Sequence, residues 1–515
     1  MGWSSLSKIA LLGWMGMSLS LPLAQGTLRP MVEADHWRTT DVDIELTRKY
    51  LNNKFCRSDE RSLEACQAAV RQLVHMLKSP SLPVVDNAGA VDFDQTLNQA
   101  EEFVTASGPR YPRQMIYGTV INDILRHFDD HARLTPVSSL QAKMGEATEE
   151  TSGLGVDLQI TAAGVFVRHI YEDSPAQRAQ MHVNDRLVSV NGIEVEPGVR
   201  SFRALKHLQG RPGDEVHLAL ERSGHRRELD LTLASLSLRP VDVRYFQAFN
   251  KTYALAKIHS FAFGACSDLA AQLAMLQGQG LGPVAGILLD LRGNLGGVVK
   301  EAACVSGLFV GRKTFLSQKG VGSLLPSMLA PTSDLRDFQE TRMSPGPMRF
   351  PATPLVVLVD ASSASAAEML AAALQDHQRA WIVGETTFGK GTTQKLAEVP
   401  GHPSLLLNHT ISRYYRPSSH PLQLIGVTPD FNVPFRREAS TLERQAPREG
   451  DWFGWSLSKE GGAEWTSPRL QEASLIRGCI TSKQLDRKFT TWHEQQMGFE
   501  DFQKAFALSV LSCAT

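Results

Sequence analysis

The sequence predicts an α+β multidomain protein with a helical N-terminal part, a middle region of short strands, and an α/β core. Three observations predict it. Between residues 40 and 145 apolar residues recur at helical spacing, and between Gly153 and Ser237 the period drops to two. From Arg239 to Arg437, continuous apolar runs are followed by Ala-rich helical stretches, the pattern of strands buried on both faces. A chain of 515 residues suits about three domains. Its 42% hydrophobic and 21% charged residues exclude a disordered protein. The net charge of −1 argues against nucleic acid as a partner, since neutralising phosphates requires a Lys/Arg excess.

Residues 1–26 read as a secretory signal: a single charge at Lys8, an apolar run from Ile9 to Leu21, and small residues Ala24 and Gly26 at the cut. The apolar run is shorter than the roughly 20 residues of a membrane span. The expected product is therefore exported, with no stable membrane span after signal removal, and an uncleaved anchor is the alternative. Residues 27–150 form the helical region. One helix carries Leu63, Cys66, Val70, Leu73 and Leu77, another Met115, Val120, Ile124 and Phe128, and Pro80, Pro83 and Gly89 break the chain between them. Residues 151–237 hold strands such as Val165–Val167 and Val216–Arg222.

Residues 238–440 form the core, with buried strands at Ile287–Leu291 and Leu355–Val359. Between Val310 and Pro351 lies a long insert rich in Ser, Pro, Met and Leu, a lid or partner-binding loop. Residues 441–515 are a polar C-terminal extension with four tryptophans and no assigned role, read as a helical appendage packing on the core. Six cysteines fall into three couples by proximity: Cys56 with Cys66, Cys266 with Cys304, and Cys479 with Cys513. For Cys266 and Cys304 a buried reduced state is the alternative.

The densest chemical signal is the run from Val359 to Asp376, a strand that breaks at small residues and starts an Ala-rich helix. Ser365 with Glu368 fits a capping box, which is a structural role. The same corner suits a nucleophile, because the hydroxyl is held rigidly at the positive end of the helix dipole beside free backbone N–H groups. Further on, Lys390 stands between Gly389 and Gly391. Gly384 to Lys390 nearly spells a phosphate-binding loop, but Gly391 stands where Ser or Thr is needed and β-favouring Thr392 and Thr393 follow. If the chain is a strand from Gly391 on, Lys390 and Gln394 share a face, and Gln394 orients the lysine amine. A buried lysine with a lowered pKa can serve as the base for a serine. Ile287 to Gly297 adds a strand ending in the pair Gly296-Gly297, whose amides can face a ligand. His127 and His131 stand one helical turn apart, a spacing that can hold zinc, yet no third ligand is evident and no metal is expected.

Taken together, Asp290-Leu-Arg-Gly-Asn-Leu-Gly-Gly297, Ser363-Ala-Ser365-Ala-Ala-Glu368, Thr387-Phe-Gly-Lys390-Gly391 and Gly426-Val-Thr-Pro-Asp430 resemble the motifs of the carboxyl-terminal processing peptidases, or tail-specific proteases. The match runs from about Tyr117 to Val433. The resemblance implies a Ser–Lys dyad enzyme with Ser365 as nucleophile, Lys390 as base, Gln394 as its orienting partner and Asp376 as a supporting residue. Ala366, Gly296 and Gly297 would supply the oxyanion amides. It also implies a PDZ domain at 151–237, a small β-barrel-like module whose loop Gly153-Leu154-Gly155-Val156 receives a chain terminus. The core at 238–440 would be an α/β spiral of the crotonase or Clp kind.

Three departures from the motifs stand out: Asn184 and Gln180 where glycine is usual in the PDZ domain, and Ala367 in place of the last serine of the nucleophile motif. The implied partners are polypeptides with apolar C-termini and an adaptor protein. The implied site of action is the periplasm, and no cofactor is called for. The rival reading is a catalytically inactive PDZ scaffold of the same fold.

Overall fold

The computed structural model describes residues 48, 51–77, 92–106, 113–137, 151–325, 338–434, 448–449, 465–491 and 501–514, apart from single positions and the short breaks 198–200, 237–238, 279–283 and 400–401. The expected signal at 1–26, part of the 311–350 insert and Trp452, Trp455 and Trp492 lie outside the described residues.

Among the described residues three long helices open the chain: α1 (Glu60–Leu77), α2 (Phe93–Ala106) and α3 (Arg113–Phe128). Their apolar stripes close over Leu73, Phe93, Tyr117, Val120 and Ile124, all fully buried. Strand β1 (Arg133–Pro136) follows at once and joins a sheet of the core, so the helical part is anchored there by chain connection and pairing. A disulfide, Cys56–Cys66, ties the entry of α1.

The PDZ region has β2 (Thr151–Gly153), β3 (Val156–Thr161), β4 (Gly164–Ile170), β5 (Arg186–Val190), β6 (Glu215–Arg222), β7 (His225–Thr232) and β8 (Ala234–Leu236). The main sheet runs β3-β4-β5-β6-β7, while β2 pairs with β8. β3 is therefore an edge strand, following directly on Gly155. Asn184 takes a left-handed backbone (φ 74°), which its short amide side chain tolerates, and Gln180 does the same (φ 55°).

The core sheet runs β9 (Val241–Ala248), β10 (Lys251–Ile258), β11 (Gly286–Asp290), β14 (Leu355–Val359), β15 (Trp381–Gly384) and β18 (Phe431–Asn432). All neighbours from β10 to β18 are parallel. Both faces are covered, as such a sheet requires. Ile287, Leu289, Val357 and Val359 point to one side, against α4 (Ala265–Gly278), α5 (Val299–Val310) and α6 (Ala366–Asp376). Leu288, Val356 and Leu358 point to the other, against α7 (Leu470–Lys483) and α8 (Phe502–Ala514).

The C-terminal extension thus packs as helices on the core, as expected, and forms the second covering layer of the sheet. A second sheet, ordered β1-β17-β12-β13 with β16 beside β17, is built from β12 (Thr314–Gly320), β13 (Gln339–Met343), β16 (Thr392–Val399) and β17 (His402–Tyr415). Disulfides Cys266–Cys304 and Cys479–Cys513 join α4 to α5 and α7 to α8, so Cys266 and Cys304 are bonded and not reduced.

Candidate active site

Two strand-to-helix corners meet at the C-terminal ends of β11 and β14, the place where an open parallel sheet leaves a crevice. Asp360, immediately after β14, draws them together. Its Oδ1 accepts the amides of Gly293, Ser362 and Ser363 at 2.9–3.1 Å. Ser363 donates its hydroxyl to the Leu291 carbonyl at 2.9 Å, and the Ala364 amide donates to Asn294. The first serine of the nucleophile motif is therefore a structural clasp between corners. Arg168 on β4 reaches Asp360 from the PDZ domain, and both side chains are buried. A second link is Tyr171, whose hydroxyl lies 2.9 Å from both Asp157 and His259 Nδ1.

Ser365 follows with φ 55° and ψ −117°, outside the region an L-residue normally occupies. Backbone strain of this kind is held only where the surroundings enforce it. Gly296 supplies part of the enforcement. A Cβ there would stand 2.9 Å from Ser365 Cβ and 3.0 Å from the Ala366 nitrogen, and its own φ is 107°. Only glycine fits. The glycine pair and the head of α6 therefore converge on the serine. The Gly296 amide is itself engaged by Asn294 Oδ1 at 2.8 Å, which leaves Gly297 and Ala366 as the amides of the predicted trio without a hydrogen-bond acceptor among the described residues.

The residue that binds nucleophile to base was read from the sequence only as a cap. Glu368 is fully buried. Its Oε2 accepts the amides of Ser365 (2.8 Å) and Lys390 (2.9 Å), and its Oε1 accepts the Gly389 amide (2.7 Å) and the Thr387 hydroxyl (2.5 Å). Thr387 in turn accepts from the Val427 amide, so its proton faces the carboxylate. Burial pushes Glu368 up to about 7, while these donors oppose the rise. Four donors and no acceptor suit the ionised form.

Lys390 precedes β16 in an extended loop. Burial lowers its pKa, Glu449 opposes that effect and Arg133 adds to it. A neutral amine is thereby brought closer to neutral pH, as a base requires. Gly391 permits a close backbone approach. A Cβ there would fall 2.2 Å from the Gln423 nitrogen, so this glycine lets the lysine loop dock on the Leu422–Leu424 turn. β16 starts at Thr392, and the irregularity opposite Thr393 and Gln394 places its extra residue, Ile411, on the partner strand β17, so Thr392 and Gln394 keep to one face of β16. Gln394 is buried, with its amide donating to Thr392 (2.9 Å) and Thr410 (3.3 Å), which leaves its carbonyl oxygen as the group able to receive a lysine proton.

Asp376 does not reach the site. It ends α6, eleven residues beyond Ser365, or about 16 Å along the helix axis. There it pairs with Arg416 at 2.7 Å and accepts the Ser418 amide. The expected supporting role is corrected to an anchor for the end of β17. The two histidines of the zinc-like spacing also separate: His127 faces Glu64 at 3.6 Å and His131 faces Glu449 at 3.1 Å.

In the PDZ loop, Gly153 pairs with Ala234, Leu154 accepts the Ala176 amide, Gly155 (φ 73°) accepts the Tyr171 amide, and Val156 opens the edge strand β3.

Behind the glycine pair, Arg292 makes a two-oxygen contact with Asp290 and pairs with Asp501 (3.0 Å) and Gln503 (3.1 Å) at the start of α8. Burial acts against Asp290, but Arg292 and Lys257 outweigh it and hold the carboxyl below the usual range. Nothing in the local sequence of Asp501 or Glu449 marks them as neighbours of the site.

The peptidase family S41 matches residues 252–433 and a PDZ domain matches residues 152–233. The chain carries a peptidase family S41 core. It is a serine peptidase of the carboxyl-terminal processing, or tail-specific, group, and polypeptides are its substrates. This S41 peptidase is 27% identical to the carboxyl-terminal-processing protease of Picosynechococcus over 61% of its own length and 72% of that protein's. It is also 27% identical to the tail-specific protease of Haemophilus influenzae, over 61% of its own length and 45% of that protein's. A solved structure of a photosystem II D1 C-terminal processing protease aligns with 75% of the chain and 97% of its own, at 23% identity and a TM-score of 0.46. Among the described residues, no helix is long and apolar enough to cross a membrane.

Proposed function

We propose that this peptidase captures unfolded polypeptides by an apolar C-terminal tail and cuts them through an acyl-enzyme on Ser365. The PDZ module, 151–237, takes the tail at Gly153–Val156 and pairs the peptide along edge strand β3. The core, 238–440, performs the cut, with the described helices of the region 27–150 and of the extension 441–515 packed against it. Ser365 Oγ attacks the carbonyl carbon while neutral Lys390 takes its proton. The lysine then returns that proton to the leaving amine, and water with the same base releases the acyl group. The amides of Gly297 and Ala366, beside Gly296, hold the oxyanion. Gln394 orients the lysine through its carbonyl oxygen.

The observation that carries this reading is the strained serine corner tied through Glu368 to the lysine loop. The protein acts after export through its signal at 1–26, in the periplasm, with an adaptor protein as a further partner.

The test uses purified enzyme with an unfolded, casein-like protein ending in an apolar tail. Ser365→Ala and Lys390→Ala each abolish cleavage while tail-peptide binding persists. Cleavage at the wild-type rate by both variants refutes the assignment. A wild-type protein that binds tails without cutting supports the inactive scaffold.

A further inference from the structure

The Arg448–Glu449 pair, from the part of the chain without assigned role, lies across the lysine loop. Arg448 donates through Nε to the Thr387 carbonyl (2.9 Å) and through its terminal nitrogen to Ile425 (2.6 Å), while the Glu449 amide donates to Phe388 (2.9 Å). These contacts fix a fully buried carboxyl against the loop that carries Lys390, two residues after Phe388. Glu449 Oε1 lies 3.1 Å from His131 Nε2 at the foot of α3, 318 residues away in sequence. Its Oε2 is buried, with the Gln423 side-chain amide beside it. Two cations, Lys390 and Arg448, favour the ionised form of this carboxyl, and burial opposes them.

We propose that Glu449 is a positioning residue for Lys390: its ionised carboxylate holds the lysine as an ammonium, and its neutral form lets the lysine serve as base. The proposal rests on Lys390 being that base. The other charges facing the pair are Arg448 on the same segment, Glu368 on α6, Arg133 on β1, and Asp129, Asp130 and His131 in the turn before β1. Burial pushes Glu449 up to about 8 and His131 down to about 4, in keeping with a carboxyl that changes charge near neutrality beside a neutral imidazole. Asn408 and Thr410 on β17 fix this turn by hydrogen bonds to the His131 carbonyl and the Asp129 carboxylate.

The test is the pH dependence of kcat/KM for full-length Glu449→Gln, which keeps the shape and the contact to His131 but cannot ionise. Removing a neighbouring anion lowers a lysine pKa, so the ascending limb moves to lower pH by about one unit or more. Tail-peptide affinity stays unchanged. Arg448→Ala, which frees the segment, moves the limb in the same direction and serves where Glu449→Gln does not fold. An unmoved midpoint in the folded variants, even with a lowered rate, overturns the proposal and makes Glu449 a packing residue. Failure of the underlying reading looks different: Lys390→Ala would then retain activity.

Discussion

The backbone amides of Ser365 and Lys390 share one acceptor, Glu368 Oε2, at 2.8 and 2.9 Å. The helix that carries the nucleophile and the loop that carries the base are therefore set by the same carboxylate. Two residues 25 positions apart become a unit without any side-chain contact between them being needed to define the spacing.

Glu368→Gln tests that unit. A carboxamide turns an NH2 group toward donors, and leaving buried donors unmet costs about 1–3 kcal/mol each. The variant melts at a lower temperature and loses at least tenfold in kcat. Thermal unfolding and steady-state kinetics on the tailed substrate check both, and an unchanged kcat removes Glu368 from the account.

Gly296→Ala separates chemistry from binding. Its Cβ would press on Ser365 Cβ, the Ala364 carbonyl and the Ala366 nitrogen, with a backbone already at φ 107°. The displaced corner loses about 10²–10³-fold in kcat, the scale of a lost oxyanion donor. Tail-peptide affinity, measured by fluorescence anisotropy, stays within twofold because the PDZ loop is untouched.

The serine corner and the glycine pair were legible because each lies in one short segment where a buried strand breaks into small residues. Glu368 was visible, but only its local capping contact could be read. Its bonds to Thr387, Gly389 and Lys390 require the two segments to be folded together. Glu449 and His131 carry no common motif, and a pairing across 318 residues leaves no period to detect. The layer role of α8 was hidden for a similar reason: a short apolar run near the chain end does not say which sheet face it covers. Asp376 shared a helix with Ser365 in sequence, yet helical rise puts it beyond reach.

Asp501→Ala tests the anchoring of that C-terminal layer. It leaves the buried Arg292 guanidinium with Asp290 and Gln503 alone, and breaking a buried pair costs about 3 kcal/mol. Denaturant unfolding shows the loss as a lower midpoint, and activity falls because Arg292 stands directly before the glycine pair.

His259 gives the contact between the PDZ domain and the core a pH dependence. Burial holds this imidazole down to about 3, while an unfolded histidine titrates near 6.5. The unfolded state then binds the extra proton first, so stability is complete above pH 6.5 and is lost as pH falls toward 3. The slope is at most about 1.4 kcal/mol per pH unit. His259→Gln, still able to meet the Tyr171 hydroxyl, flattens this difference when melting temperatures are compared from pH 7 to pH 4.

The most direct measurement is the mass of the enzyme after rapid acid quench during turnover of an activated ester substrate. An acyl adduct forms on the peptide containing Ser365, is absent from Ser365→Ala and fails to accumulate in Lys390→Ala. Undiminished turnover by Ser365→Ala, with no adduct on that peptide in the wild-type enzyme, would contradict an acyl-enzyme on Ser365.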